Sequence, residues 1–140
     1  MILLDTSGIL AAVGADERRH EECARALRAA DPPRLLSPFV LAEVDYMIHK
    51  YAGARAALAF LDEVGRRAYE LVPMEHRDVD YARSIMEHYR ELEIGLTDAS
   101  IVALAARYSC WDVLTLDKRH FRAIKIPGVK RRFRILPSEF

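Results

Sequence analysis

Met1-Ile2-Leu3-Leu4-Asp5-Thr6-Ser7 opens the chain, and Val113-Leu114-Thr115-Leu116-Asp117 repeats its plan more than a hundred residues later. In each stretch an apolar run, interrupted in the second only by Thr115, ends on a carboxylate. Runs without polar alternation are those of strands covered on both faces, as in parallel sheets. Three more short runs have the same character: Arg34–Leu36, Tyr69–Val72 and Phe133–Leu136. Helical patterns lie between them, over Glu17–Ala30, Pro38–Tyr51, Ala54–Arg66, Glu75–Tyr89 and Asp98–Tyr108, with a short helix near Gly8 and a last turn at Lys118–Phe121. Ser37 with Pro38 reads as an N-cap followed by the first helical position, and Thr97 as the cap of the Asp98 helix. Strands alternating with helices give right-handed crossovers and a parallel sheet of about five strands. In such open sheets ligands bind beyond the carboxyl ends of the strands, where Asp5 and Asp117 stand.

Length and composition set the frame. The chain has 140 residues, 51% hydrophobic and 30% charged. That suits one α/β domain, 1–140, with a single core. No apolar stretch reaches the roughly 18–20 residues of a membrane span. The first apolar run has no basic segment ahead of it and meets an acid at position 5, so a cytoplasmic protein without a signal peptide is expected. Cys23 and Cys110 sit in helical patterns without CxxC spacing and read as reduced packing residues. Net charge is zero, but Lys118–Arg134 holds eight Lys or Arg and no acid, leaving 13 basic against 21 acidic residues elsewhere. Such a segment suits a polyanion held beside an acidic site, or a solubilising cover for a sheet edge.

Four acids carry the chemistry. Asp5 could cap the helix that follows it, a role Ser7 could equally fill. Asp98 and Asp117 stand where helix first turns favour acids, worth ~0.3–1 kcal/mol through the macrodipole. Glu43 is different. With Val40, Val44, Met47 and Tyr51 as the apolar stripe, Glu43 falls within roughly 60° of Val40 and Asp45 roughly 140° away, on the wet side. All four are thus expected at one edge of one sheet. Two carboxylates ~5 Å apart at an effective dielectric of ~20 repel by about 3 kcal/mol. Some must therefore be protonated or neutralised by a divalent cation, and an all-oxygen set without histidine favours Mg²⁺ or Mn²⁺ over zinc.

Other chemistries find little support. His20, His49, His76, His88 and His120 form no close ligand pair; the first four read as surface residues, while His120 stands nearer the proposed site, within reach of a phosphate. There is no GxxxxGK[ST] or GxGxxG phosphate loop. Ser7 lacks the Gly-x-Ser-x-Gly elbow of a serine hydrolase.

Leu3-Leu4-Asp5-Thr6-Ser7, the helical Glu43, Leu96-Thr97-Asp98-Ala99 and Leu114-Thr115-Leu116-Asp117 occur in the order found in the PIN-domain nucleases. The chain resembles that family from Met1 to about Leu136, and its small size resembles the VapC-type toxins of bacterial and archaeal toxin–antitoxin pairs. The resemblance implies a PIN-like three-layer fold and a Mg²⁺- or Mn²⁺-dependent endoribonuclease that forms homodimers and is silenced by a cognate antitoxin. Carried over by position, Asp5, Glu43, Asp98 and Asp117 are the acidic quartet that binds metal and catalyses, and Thr6, Ser7 and Thr115 line the pocket beside Thr97. Many members carry a further acid just before the following phenylalanine; here His120 precedes Phe121, which leaves a second metal open. Lys118, Arg119, Arg131 and Arg132 would grip the RNA substrate through its phosphates. A binding module working through a protein partner, with Ala57, Leu58, Leu61 and Val64 as its face, is the competing reading. A receiver-like phosphoacceptor domain fails for want of a paired acid and a strand-end lysine.

Overall fold

The computed structural model describes residues 1–139. Ile2, Leu3 and Leu4, all buried, form β1 (Ile2–Leu4) at the middle of a five-stranded sheet. Its neighbours are β2 (Arg34–Leu36) and β4 (Asp112–Leu114), with β3 (Glu70–Leu71) and β5 (Arg134–Leu136) at the edges, in the order β3-β2-β1-β4-β5. Every pairing is parallel; Leu3 lies opposite Leu35 on one side and Val113 on the other. Seven helices flank the sheet: α1 (Thr6–Val13), α2 (His20–Ala29), α3 (Pro38–Ala52), α4 (Ala54–Gly65), α5 (His76–His88), α6 (Leu96–Tyr108) and α7 (Lys118–Ala123).

The chain steps from β1 to β2 and β3 on one side, then returns past β1 to β4 and β5. The order therefore reverses between β1 and β4, and the crevice at their carboxyl ends is the switch point where such sheets bind ligands. Gly8 lets α1 lie directly on the end of β4. A Cβ there would stand 2.3 Å from the Leu114 carbonyl oxygen.

Several boundaries differ from the sequence pattern, each for a local reason. Residues 17–19 form turns rather than helix, and α2 starts at His20. His20 is not a surface residue: its ring Nδ1 lies 2.9 Å from the Ala11 carbonyl oxygen and ties α2 to α1. Gly95, not Thr97, occupies the N-cap of α6, so Thr97 and Asp98 both lie in the first turn. Thr115 and Leu116 leave β4, because the Thr115 hydroxyl takes the Asp117 N–H, 2.9 Å away.

The inward faces of two helices are decided by packing. The buried stripe of α3 is Val40, Val44 and Ile48, while Tyr51 is 73% exposed. Glu43 is exposed and Asp45 half-buried, the reverse of the sequence pattern. Choosing Ile48 rather than Met47 and Tyr51 turns the stripe toward Asp45. In α5, Val79 is exposed and Asp78 is buried instead, accepting from the Glu75 N–H at 2.8 Å and from Arg107 at 3.2 Å. A buried hydroxyl pair links two helix starts: Ser37 and Ser100 Oγ lie 2.7 Å apart. Ser37 caps α3 through the Phe39 N–H, and the Ser100 hydroxyl donates to the Thr97 carbonyl oxygen in α6.

Candidate active site

Asp5 ends β1 with its N–H still in the ladder, donating to the Leu114 carbonyl oxygen at 3.1 Å. It occupies the N-cap of α1, but its side chain makes no cap bond. Instead Oδ2 accepts from the Thr115 hydroxyl at 2.6 Å and from Ser7 Oγ at 3.1 Å. Ser7 Oγ in turn accepts from the Leu116 N–H at 3.0 Å. These two hydroxyls latch the ends of β1 and β4 together behind the carboxylate. Only 5% of Asp5 is exposed, and its pKa is pushed up from 3.8 to about 6. Burial is the main cause; the Thr115 bond opposes it, and the charge of Asp98 adds to it.

Asp98 faces Asp5 from the first turn of α6, with 21% of its side chain exposed. Oδ2 lies 2.6 Å from Nδ1 of His120 in α7. Burial raises its pKa most; the bond and charge of His120 pull it down, and Asp117 and Glu43 push it up again. Asp117 is the N-cap of α7, its Oδ1 accepting from the Arg119 N–H at 3.2 Å, and its side chain is 53% exposed.

All four acids line one open cleft of about 360 Å³, together with Thr6, Ser7 and Thr97. Leu10 and Met47 form its apolar wall. Thr115 is fully buried and stands behind the cleft rather than lining it. The residues fit a hard divalent cation: the donors are carboxylate oxygens, Asp5 buried and Asp98 half-buried, each with its pKa raised chiefly by burial, and the Thr6 hydroxyl is buried without a partner among the described residues. No three His, Cys, Asp or Glu side chains of the described residues are yet drawn into a closed metal nest. Asp5 and Asp98 are held by hydrogen bonds from Thr115 and His120, whereas Glu43 and Asp117 are exposed at the rim.

The basic residues divide. Lys118 and Arg119 open α7 directly after Asp117, at the cleft edge. Arg131 and Arg132 are elsewhere: they line a separate concavity with Met1, Tyr108 and Trp111, which precede β1 and β4. In a parallel sheet that is the amino end of the strands, opposite the acids. Two contributors were hidden from sequence patterning, the Asp98–His120 contact and the Thr115 latch. Each joins residues more than twenty apart in the chain through a single polar atom, which leaves no periodic trace.

Against known proteins, the family model described as the PIN domain matches residues 2–126. The curated protein Ribonuclease VapC26 of Mycobacterium tuberculosis is 35% identical over 136 residues, covering 97% of this chain and all of that protein. Among solved structures, Mycobacterium tuberculosis VapC20, described as a Sarcin-Ricin loop cleaving toxin, superposes with a TM-score of 0.79 at 22% identity, covering 84% of this chain and 91% of that one. A toxin–antitoxin complex from Klebsiella pneumoniae gives a TM-score of 0.65 at 21% identity, with 89% and 92% covered. Strand order, switch-point cleft and sequence match lead to one conclusion: the chain belongs to the PIN-domain family.

Proposed function

We propose that this chain is a Mg²⁺- or Mn²⁺-dependent ribonuclease, the toxin of a type II toxin–antitoxin module. The observation that carries the reading is the meeting of Asp5, Glu43, Asp98 and Asp117 on one cleft at the switch point. The name of the curated relative, a ribonuclease, points the same way. Asp5 and Asp98 would hold the cation. When bound, it would polarise a phosphate oxygen and acidify a water. Glu43 and Asp117, exposed at the rim, would orient the attacking water, and one of them would accept its proton. Lys118 and Arg119 would take an adjacent phosphate. Attack by water on phosphorus, with the 3′-oxygen as leaving group, would break the P–O3′ bond and leave a 5′-phosphate and a 3′-hydroxyl. The reaction belongs in the cytoplasm, where RNA is met, and no helix among the described residues is long and apolar enough to cross a membrane.

Replacing Asp98 by Asn tests the reading. Mn²⁺-dependent cleavage of RNA should vanish while circular dichroism stays unchanged; full cleavage by Asp98→Asn protein would defeat the assignment.

An antitoxin partner is part of the same proposal. An apolar groove of about 500 Å³ between α1, α3 and α4 shares Leu10 and Met47 with the acidic cleft and continues along Ile48, Tyr51, Ala56 and Phe60. An amphipathic helix seated there would border the acids and control access to them. Exposed Leu58 and Leu61 on α4, with Tyr46 on α3, offer an apolar face for a second copy of the chain. Light scattering of the purified protein checks the dimer. The same groove also suits a binding module without catalysis, and calorimetric titration separates the two: a module of that kind takes up no Mn²⁺.

A further inference from the structure

We propose that the amino end of the sheet, opposite the acidic cleft, carries a second contact for single-stranded RNA: a cationic shelf in which Arg131 and Arg132 share a concavity with Trp111, next in the chain to Lys130. The proposal rests on the ribonuclease reading and extends it to a surface away from the chemistry. Arg131, Arg132, Tyr108 and Trp111 line a concavity of about 370 Å³. The three consecutive cations are exposed, and none makes an ion pair within 4.0 Å among the described residues. The concavity's lining acid, Asp112, is already engaged at both oxygens by Arg134, at 2.9 and 2.5 Å. The shelf therefore keeps its full positive charge.

Trp111 gives the surface its selectivity. The ring is half-buried and braced edge-on against Phe133 at 5.9 Å, which itself packs on Phe121 at 5.4 Å. A rigid indole beside unpaired guanidinium groups is the pairing that single strands use: phosphates on cations, a base on the flat ring. An acidic peptide would use the cations but gain nothing from the indole.

A path joins the two ends. The segment from Lys118 to Arg134 starts at the cleft and ends at the shelf, with Arg122 and Lys125 exposed between them. Three-residue strands make the sheet only about 10 Å deep.

Trp111 is the chain's one tryptophan, so its fluorescence reports on the shelf alone. Catalytically silent Asp98→Asn protein is titrated with an oligoadenylate of about twelve nucleotides. Saturable quenching is expected. In the Arg131→Ala/Arg132→Ala background the quenching should be lost and the slope of log affinity on log salt should fall by about 1.4, at about 0.7 per phosphate contact removed. Trp111→Ala should weaken binding roughly 5- to 100-fold, and Trp111→Phe should retain it. RNA binding with unchanged Trp111 emission, or unaltered affinity after the double substitution, overturns the shelf and leaves the ribonuclease reading standing. Equal quenching by polyglutamate also overturns it, assigning the surface to an acidic protein. If the native chain neither binds nor cleaves RNA, the underlying ribonuclease reading falls instead.

Discussion

Replacing Asp5 by Asn should make the protein more stable while silencing it. The carboxyl of Asp5 titrates near 6 in the folded chain against 3.8 for an ordinary aspartate. Between those values the folded state binds more protons than the unfolded one, so stability falls as pH rises through that window and stays reduced above it. A shift of about two pH units corresponds to about 3 kcal/mol at full value. Water entering the open cleft lowers this, and a gain between about 1 and 3 kcal/mol at pH 8 is expected for Asp5→Asn without metal. The amide oxygen can still accept from the Thr115 hydroxyl, so the latch survives. For a chain of this size that is a rise in Tm of about 3–10 °C. The gap should shrink to about 1 kcal/mol or less at pH 4.5, where the native carboxyl is protonated. Added Mn²⁺ should raise the Tm of the native protein and not that of the variant, since a ligand stabilises only the state that binds it. Differential scanning fluorimetry at the two pH values, with and without Mn²⁺, reads all of this. An Asp5→Asn protein less stable than the native chain at pH 8, or a gap unchanged at pH 4.5, would refute the electrostatic reasoning.

Thr115→Val removes the shorter of two donors to Asp5, leaving Ser7, and takes the acceptor from the Asp117 N–H; a loss of about 1–3 kcal/mol should appear in urea unfolding, with Thr115→Ser restoring most of it. Gly8→Ala drives a Cβ into the Leu114 carbonyl and should destabilise by about 3 kcal/mol or more; a fully stable variant would mean that α1 does not lie on β4 as described. His120→Ala frees Asp98 to turn away from the cleft and should weaken Mn²⁺ binding roughly tenfold by calorimetry, with His120→Asn recovering part of it. Mn²⁺ affinity unchanged by His120→Ala would reduce the imidazole to packing.

Ile2–Leu4 and its echo at Val113–Leu116 were legible because buried parallel strands leave continuous apolar runs, and those runs placed Asp5 and Asp117 on one edge. The stripe that places Glu43 inward is one that packing rotates: Met47 and Tyr51 look as apolar as Ile48, and only packing against the sheet decides which turns inward. The residue that truly faces partway in is Asp45. Asp78 shows the same weakness, since a buried aspartate paired with Arg107 is indistinguishable in sequence from an exposed one. Charge along Lys118–Arg134 reads as one block, suited either to a polyanion beside the acids or to covering a sheet edge, yet the segment crosses from one end of the sheet to the other and carries Arg131 and Arg132 away from the cleft. Linear proximity says nothing about which end of a strand a residue reaches.

The hydroxyl pair between Ser37 and Ser100 acts as a spacer bar. It pins the start of the helix bearing Glu43 to the start of the helix bearing Asp98, so the gap between those two carboxylates is gauged from inside the protein, out of reach of any substrate. Crowding that bar with a methyl group, by Ser100→Thr, or removing it, by Ser100→Ala, would retune the calibre of the acidic mouth, and with it the size of ion admitted, without altering a single residue that the ion could touch.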